Sequence, residues 1–469
     1  MFLPNSLVWL RNDLRLSDNP ALAAAMEGAE TVTAIYIFET DDNLRAPGGA
    51  ARWWLHNSLE DLAQRLAKIG VRLLVQEGKA ETTVRGAIEE TNATSVHWNR
   101  RYAPAERALD AAIKDTLRSE DIAVTSHMGN VLVEPWDIAT GQGKPYSVYG
   151  PFWKALKDRD IASPLLAPKG KAIKAHEADP GYRRPHWAAK LEQYWQIGEE
   201  AAQAKLARFF DDKLEAYPRG RDYPASEATS KLSPHLRHGE ISPRQLWHAA
   251  KAFAHAHHQQ AEHINKFLSE LAWRDFNYHQ LFHRDDIVKV SMHGKYEGMQ
   301  WRHAPEHLEA WKSGRTGIPM VDAGMRELWE MGYMENRVRM LTASFLCKNL
   351  LIDWRIGEEW FWDCLVDGDI ANNPGNWQWV AGSGMDASPF FRIFNPVSQG
   401  EKFDADGDYV RRWVPEIANL PDQWLHNPAA APKDVLRQAG VELGTTYPEP
   451  IVDLKQTRAR ALEAVKSLG

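Results

Sequence analysis

The first 127 residues alternate between short β-rich apolar runs and helical patterns, and this alternation limits the possible folds more than any other feature of the sequence. The apolar runs lie at residues 7–10, 32–38, 73–75, 95–98 and 123–126. Helical patterns separate them at residues 20–26, 50–68, 81–91 and 104–118. Strands that alternate with helices predict a parallel sheet. We therefore expect a doubly wound α/β domain over residues 1–130.

Polar side chains follow several of these predicted strands, at the edge where ligands of open parallel sheets bind. They are Arg11 and Asp13, then Glu39 beside the apolar Phe38, then Asn99, Arg100 and Arg101, with Glu106 soon after. No G-x-G-x-x-G follows the first strand and no G-x-x-x-x-G-K-[ST] occurs in the chain. The sequence therefore argues against a nicotinamide dinucleotide site and against a P-loop.

The rest of the chain changes character twice. Residues 131–204 are rich in proline and glycine and predict an interdomain connector with one helix near residues 152–159. From residue 205 to 469 apolar residues recur at helical intervals, which predicts a second, mostly α-helical domain.

Composition narrows the class of protein. The only cysteines, Cys347 and Cys364, have no paired spacing, which excludes a disulfide framework and a cysteine-built zinc site. No apolar run approaches the ~18 residues that span a bilayer, and the start of the chain lacks the pattern of a signal peptide. We therefore expect a cytoplasmic protein without a membrane segment. Twenty tryptophans are far more than packing usually requires.

The string Thr-Ser-Lys-Leu-Ser-Pro at residues 229–234 predicts a helix start, with Ser233 as the N-cap. A helix N-terminus also offers free N–H groups and a partial positive charge that can hold a phosphate. Capping alone is the simpler interpretation. The additional hydroxyl groups of Thr229 and Ser230, with Tyr217 upstream, favour a phosphate site.

Two predicted helices carry an unusual mixture of side chains on one face. On the first face, at spacings i, i+3, i+4 and i+7, lie Glu270, Trp273, Arg274 and Asn277. On the second lie Asn336, Arg339 and Met340, with Val338, Leu341 and Phe345 on the packing side. Either face could simply be exposed to solvent, although an exposed face would not require a tryptophan such as Trp273 on the first face. Together they are more typical of the walls of a pocket for flat, partly polar molecules.

Acids, amides and indoles are concentrated at residues 367–379. The Asp-Gly and Asn-Pro-Gly pairs in this segment also encode tight turns. No histidine accompanies the acids, so we predict no metal site here.

These strings closely resemble the DNA photolyase and cryptochrome flavoproteins. The resemblance runs nearly from end to end of the chain, through residues 9–16, 229–233, 270–274, 336–340, 367–379 and 391–396. In that family a helical domain holds FAD non-covalently, in a folded form that is active when reduced. DNA approaches a cavity over the flavin. The resemblance therefore implies a light-driven carbon–carbon lyase that repairs UV-damaged DNA.

The resemblance also assigns FAD contacts to residues of this chain. The residues similar to FAD ligands are Tyr217, Thr229, Ser230, Lys231, Leu232, Ser233, Phe267, Arg274, Asn336, Arg339, Asp367, Gly368, Asp369 and Asn373. Asn373 corresponds to the residue that faces flavin N5. Sequences similar to the plant signalling cryptochromes have Asp at this position, and an Asp side chain can pass a proton to the flavin. The Asn of this chain cannot, so it favours repair.

The (6-4) photoproduct enzymes resemble sequences with paired histidines in the helix that carries Asn336 and Met340. No histidine occurs at residues 336–340, so the resemblance implies a cyclobutane pyrimidine dimer as the substrate. The residues similar to those that bind DNA or the dimer are Arg221, Glu270, Trp273, Arg274, Asn277, Asn336, Arg337, Met340, Trp379 and Gln399. Among these and the flavin contacts, the expected catalytic residues are Glu270, Asn336, Met340 and Asn373.

Three tryptophans, Trp301, Trp354 and Trp377, match the family's electron chain from flavin to surface; by spacing alone, any of them could be a core residue. The resemblance further implies an antenna chromophore near Phe38, Glu39, Asn99, Arg101 and Glu106. The strings at residues 53–59 and 98–102 are similar to the class III bacterial enzymes, which favours methenyltetrahydrofolate over a deazaflavin.

The alternative is a cryptochrome-like blue-light photoreceptor with the same flavin. That class favours Asp at position 373 and often has a long C-terminal tail, whereas the last predicted helix here ends near residue 468. The net charge of −7 is unusual for a DNA-binding protein, so the DNA partner depends on the motifs. We expect a monomer.

Overall fold

The computed structural model describes residues 4–175, 178, 181–284, 286–386, 389–390 and 392–468. Met1, Phe2, Leu3 and the family residue Phe391 lie outside the described residues. The chain divides into two compact units. The first unit comprises Met1–Asp212, Ser230–Asp286 and Val366–Ala371, and the second comprises Lys213–Thr229, Ile287–Leu365 and Asn372–Gly469. The domain boundaries at residues 130 and 204 were placed from changes in the residue pattern, and they stay a prediction.

A five-stranded parallel sheet with the strand order β3-β2-β1-β4-β5 lies in the first unit. The strands are β1 (Asn5–Leu10), β2 (Thr31–Glu39), β3 (Arg72–Gly78), β4 (Ala93–Asn99) and β5 (Ala123–His127). The helices between them are α1 (Pro20–Gly28), α2 (Gly49–Lys68), α3 (Ala80–Thr91) and α4 (Pro104–Ser119). The doubly wound α/β prediction is confirmed.

Strand β1 shows why the predicted runs are so apolar. Val8 and Leu10 pack into one hydrophobic cluster with α1 and α2, while Leu7 and Trp9 pack into another with α3 and α4. Because successive strand residues point to opposite faces, a strand covered by helices on both faces must be apolar at every position.

The remaining helices follow in chain order. They are α5 (Tyr149–Leu156), α6 (Ala188–Leu191), α7 (Glu199–Arg208), α8 (Tyr217–Gly220), α9 (Ser233–His238), α10 (Pro243–Ala256), α11 (Ala261–His283), α12 (Pro305–Lys312), α13 (Pro319–Met331), α14 (Asn336–Ser344), α15 (Trp354–Cys364), α16 (Asn372–Ala381), α17 (Pro396–Phe403), α18 (Asp408–Trp413), α19 (Asp422–Leu425), α20 (Lys433–Gln438) and α21 (Leu454–Lys466). Beyond His127 the described residues contain no strand, and one isolated bridge joins Leu443 to Tyr447. The prediction of a helical second part is confirmed.

The predicted connector differs from the structure in two details. Its helix, expected near residues 152–159, is α5, which begins earlier and ends at Leu156. Two further helices, α6 at Ala188–Leu191 and α7 from Glu199, begin inside the segment that was predicted to have one helix. Proline and glycine mark the irregular backbone correctly, but they do not reveal short helices that tertiary packing stabilises.

The second unit has its own core, which contains Trp311, Phe345, Phe361, Trp377 and Tyr409. Helix α14 continues into a π-helical segment, Phe345–Leu350, whose residues are all buried. Both cysteines are buried free thiols. Within the described ranges, the length and hydropathy needed to cross a membrane are not found in any helix.

Candidate functional site

The loop before α9 does not form the predicted N-cap. The N-cap position is Leu232, whose side chain makes no capping hydrogen bond, and Ser233 is already helical. The Ser233 hydroxyl instead donates to Oδ2 of Asp367 at 2.6 Å. The capping prediction for Ser233 was wrong because a carboxylate distant in sequence competes for its hydroxyl group. The preceding Lys231 has a left-handed backbone, with φ of 49°, which makes the turn into the helix tight.

Helix α9 also holds the turn that contains Asp367 and Asp369. Arg237 Nε donates to the Gly368 carbonyl at 2.6 Å, and Arg237 Nη1 donates to Oδ1 of Asn12 at 2.6 Å. The ring of His238 lies 2.9 Å, through Nε2, from the carbonyl oxygen of Val366. Together with Ser233, these contacts fix α9 against the acidic turn within the first unit. Arg237 and His238 were missed by sequence reasoning, which considered only hydroxyl groups in this segment.

A second group within the first unit connects Arg274 to the same turn. The Arg274 guanidinium lies 4.7 Å from the ring centre of Tyr278, and the Tyr278 hydroxyl donates to Oδ2 of Asp369 at 2.6 Å. Burial, and next the negative charge of Asp369, raise the pKa of Tyr278 well above its usual range. The phenol therefore stays a hydrogen-bond donor, which orients the Asp369 carboxylate. Arg274 Nη1 also donates to the Asn130 carbonyl at 2.6 Å.

The predicted face of α11 exists, and neighbours fix two of its side chains. Glu270 accepts a hydrogen bond from Lys266 Nζ at 2.6 Å, one helical turn earlier. The ring of Trp273 stacks on that of Tyr149, with centroids 3.7 Å apart and planes at 10°. Asn277 is buried. Tyr149 comes from the segment predicted as a connector, and the sequence contains no pattern that links it to Trp273.

Helix α14 of the second unit matches its predicted faces. Val338, Leu341 and Phe345 are buried in the core of this unit, and Asn336, Arg339 and Met340 are partly or fully exposed. Arg339 Nε donates to the Met334 carbonyl at 2.6 Å, and its guanidinium lies 5.0 Å from the ring centre of Tyr333.

Glu335, immediately before α14, is a buried carboxylate in the second unit. It accepts a hydrogen bond from the hydroxyl of Thr229 at 3.1 Å. That contact fixes the rotamer of Thr229, one of the predicted phosphate ligands. Tyr217, another predicted ligand in this unit, is buried on α8.

Asn373 is buried at the start of α16, and its amide orientation is fixed. Its Nδ2 donates to the backbone carbonyl of Glu358 at 2.9 Å and to the Oε1 atom of the same residue at 2.8 Å. Both donor hydrogens can therefore be used inside the second unit. The amide oxygen is left as the acceptor of this side chain.

The three predicted electron-transfer tryptophans all belong to the second unit. Trp377 packs edge to face against Phe361 at 4.9 Å and against Trp311 at 6.2 Å. Trp354 is buried in the same core, on which Trp301 packs half-buried. Trp377 and Trp354 are thus more buried than Trp301, and electron transfer along the three stays a prediction.

Comparisons with known proteins identify the family. Residues 6–169 match the family described as "DNA photolyase", and residues 267–467 match the family described as "FAD binding domain of DNA photolyase". A protein of Agrobacterium fabrum named deoxyribodipyrimidine photo-lyase is 49% identical over 98% of this chain and 97% of its own length. The chain belongs to the DNA photolyase family.

Other members of this photolyase family extend the comparison. The crystal structure of a bacterial class III photolyase from Agrobacterium tumefaciens superposes with a TM-score of 0.95 at 48% identity, and covers 100% of this chain and 98% of that one. Cryptochrome-1 of Arabidopsis thaliana is 36% identical over 99% of this chain and 70% of its own length. The fold and the presence of the family's FAD-binding domain are thus confirmed.

A buried ionic cluster occupies the carboxyl edge of the sheet in this photolyase-family chain. Arg101 pairs with Glu39 and donates to Asp110 at 2.5 Å, and Arg11 donates to the other oxygen of Asp110 at 3.0 Å. Among the described residues, Nε of Arg101 and Oε1 of Glu39 are buried without a hydrogen-bond partner. Burial raises the pKa of nearby Glu106. The cluster thus brings predicted antenna residues together, and these two polar atoms of Arg101 and Glu39 could bond to a ligand.

Three residues predicted to bind DNA or the dimer, Arg221, Arg337 and Gln399, lie in the second unit. Arg337 pairs with Asp222 at 2.8 Å and lies over the ring of Phe403 at 4.3 Å. The Arg221 guanidinium lies 5.6 Å from the ring centre of Tyr217. Gln399 is partly exposed on α17. Each guanidinium is thus held on an aromatic ring.

Proposed function

We propose that this protein repairs cyclobutane pyrimidine dimers in DNA with light, as a carbon–carbon lyase that uses reduced FAD. The observation that carries the proposal is the 49% identity, over nearly the full length of both chains, to a protein named deoxyribodipyrimidine photo-lyase. The amide at position 373 supports repair over signalling, because a buried amide cannot exchange a proton with the flavin as a carboxyl group can.

The donor and acceptor set fits FAD. When bound, reduced FAD supplies light-driven transfer of an electron to the dimer and receives it back, so the reaction has no net redox change. The proposed contacts, as the family resemblance assigns them, are hydroxyl and N–H groups at residues 230–233, with Arg274, Phe267, Tyr217 and Thr229. Positive charge and N–H groups suit the phosphates.

Two carboxylates and three side chains of α14 and α16 complete the proposed set. The carboxylates of Asp367 and Asp369 suit ribityl and ribose hydroxyl groups, and their rotamers are fixed by Ser233 and Tyr278. The resemblance adds Asn336, Arg339 and Asn373 as proposed contacts.

The proposed substrate contacts explain the side-chain types. Trp273 offers a flat apolar surface, and stacking of a base on an aromatic side chain contributes about 1–3 kcal/mol. Glu270 can hydrogen-bond to a base edge, for which it must exchange the contact with Lys266. The resemblance adds Asn336, Met340 and Trp379 as proposed contacts with the dimer. The dimer must leave the duplex, and photolyases are among the enzymes for which base flipping is described.

Further elements belong to the same proposal. Trp377, Trp354 and Trp301 carry electrons to an oxidised cofactor under light. The edge cluster around Arg101 and Glu39 holds an antenna chromophore, methenyltetrahydrofolate rather than a deazaflavin. The protein acts as a monomer in the cytosol, where its DNA substrate lies.

The decisive test is light-dependent repair. The chemically reduced protein is irradiated with an oligothymidine that carries cyclobutane dimers, and restored thymines are quantified by chromatography. We expect restoration only with light. A Trp273→Ala variant should lose most of the activity, whereas a Trp329→Phe variant, altered at a tryptophan that is 54% exposed, should match the wild type. Dimers that persist under light with the wild-type protein would remove the repair proposal.

A further inference from the structure

The Tyr149–Trp273 pair has a geometry that free aromatic rings avoid. The ring centroids are 3.7 Å apart with planes at 10°, so the rings overlap face to face. Aromatic pairs prefer offset or edge-to-face arrangements, with centroids about 4.5–7 Å apart. The surrounding structure must therefore impose the sandwich.

Two contacts impose it. The Tyr149 hydroxyl donates to the Ser269 carbonyl, which lies one helical turn before Trp273 on α11. Phe276 packs edge-on against both rings, at 5.8 Å from Tyr149 and 5.7 Å from Trp273. Phe276 is itself buried and packs on Phe152 of α5 at 5.3 Å. The phenol is thus fixed along α11 by its hydroxyl group and across it by Phe276.

A stacking platform for a base needs an indole with a defined plane. A partly exposed tryptophan on a helix can adopt several rotamers, and selecting one on binding costs conformational entropy. Tyr149 covers one face of Trp273 and removes that freedom before the substrate arrives. The indole can then offer its opposite face to a flat ligand.

We propose that Tyr149 is a positioning residue of the lesion site, which sets the plane of Trp273 for stacking on the flipped pyrimidine dimer. The inference rests on the proposed function, because it needs Trp273 to contact the lesion. It predicts a selective effect: Tyr149 matters for the flipped dimer and matters little for the sequence-independent contacts with DNA phosphates.

The test compares affinities of the reduced full-length protein, in the dark, for two oligonucleotides that differ only in one thymine dimer. Tyr149→Leu should weaken binding of the dimer strand about tenfold, a part of the stacking free energy, and binding of the undamaged strand less than about twofold. Tyr149→Phe keeps the ring and loses one hydrogen bond, so its dimer affinity should stay within about threefold of the wild type.

Trp153→Leu is the matched control, because Trp153 lies on the same helix as Tyr149 but packs on Trp247 of α10. It should lower the midpoint of urea denaturation without changing the ratio of the two affinities. If Tyr149→Leu fails to fold, Tyr149→Phe and Tyr149→His, which both retain a ring, must still preserve the ratio within about threefold.

Two results would overturn the inference. An unchanged affinity ratio in a folded Tyr149→Leu variant would show that Trp273 needs no support. Tighter binding of the dimer by that variant would show that Tyr149 occupies the place of the base. If the wild-type protein itself does not distinguish the two strands and does not repair the dimer, the proposed function fails instead.

Discussion

Gly357 of α15 offers a sharp test of the packing around Trp377. A Cβ atom built at this position lies 2.2 Å from Cη2 and 2.6 Å from Cζ3 of Trp377, and 2.5 Å from Cδ2 of Leu346. The indole cannot simply move away, because its edge packs on Phe361 and Trp311. Inserting a methyl group into a packed core costs about 1–3 kcal/mol, and such close contacts belong at the upper end of that range.

The helix recovers part of this cost, because alanine is about 1 kcal/mol better than glycine inside a helix. Gly357→Ala should therefore lower the free energy of unfolding by about 2 kcal/mol, as urea denaturation will measure. Gly86→Ala is the matched control: Gly86 lies inside α3, and a Cβ there has nothing within 4 Å. That variant should gain up to about 1 kcal/mol.

The same pair of variants tests the electron chain. If Trp377 donates first, its displacement in Gly357→Ala should slow the light-driven reduction of oxidised flavin, and Gly86→Ala should leave the rate unchanged. A Gly357→Ala protein as stable as the wild type would refute the packing argument. Unaltered photoreduction in a destabilised variant would refute the role of Trp377.

Three further perturbations follow from buried polar groups. Burial lowers the pKa of Lys348 to about 8 from 10.5, so between these pH values the unfolded chain binds more protons than the folded one, and the free energy of unfolding rises with pH. Lys348→Met should remove this rise of roughly 3 kcal/mol, as urea denaturation at pH values near 8 and 10.5 will measure. An equal pH dependence of the free energy of unfolding in the two proteins would contradict the prediction. Asn373→Asp places a second buried carboxyl group beside the Glu358 carboxylate, which now accepts from the amide at 2.8 Å. Two adjacent carboxylates repel each other when both are ionised, so this variant should lose more stability at pH 8 than at pH 5. Adding Glu358→Gln to the same chain should reduce that difference. Identical losses at both pH values would exclude this repulsion. Arg237→Met loses the hydrogen bond to Gly368 that fixes the acidic turn, and its affinity for FAD, measured by flavin fluorescence, should fall about fivefold. Arg326→Met, which loses a pair with Glu416 in the second unit, should bind FAD like the wild type.

The sheet and its helices could be predicted from the sequence because their signals are local. The central strands β1 and β2 are buried on both faces over most of their length, so their apolar runs are nearly continuous, and each helix between the strands shows its own periodicity. The faces of α11 and α14 were predictable for the same reason, since spacing along a helix fixes which residues share a side.

Contacts between distant segments could not be predicted. Whether Ser233 caps its own helix or bonds to Asp367 depends on a carboxylate more than a hundred residues away. The contact of Tyr149 with Trp273 likewise joins a proline-rich segment to a helix far along the chain. In the sequence, Arg237 is one charged residue of a short predicted helix, and nothing there indicates its hydrogen bonds to Asn12 and Gly368. Such pairings are decided by the tertiary fold, and no residue pattern in one chain encodes them.

In the proposed function, bound flavin, light and this polypeptide together split thymine dimers. The direct measurement removes the flavin, returns it, and quantifies restored thymines in each state under blue or near-ultraviolet light. We expect no restoration by the flavin-free protein, recovery after FAD is added and reduced, and a dependence on wavelength that follows the absorption of the reduced cofactor. Restoration in the dark, or by the protein without flavin, would contradict it.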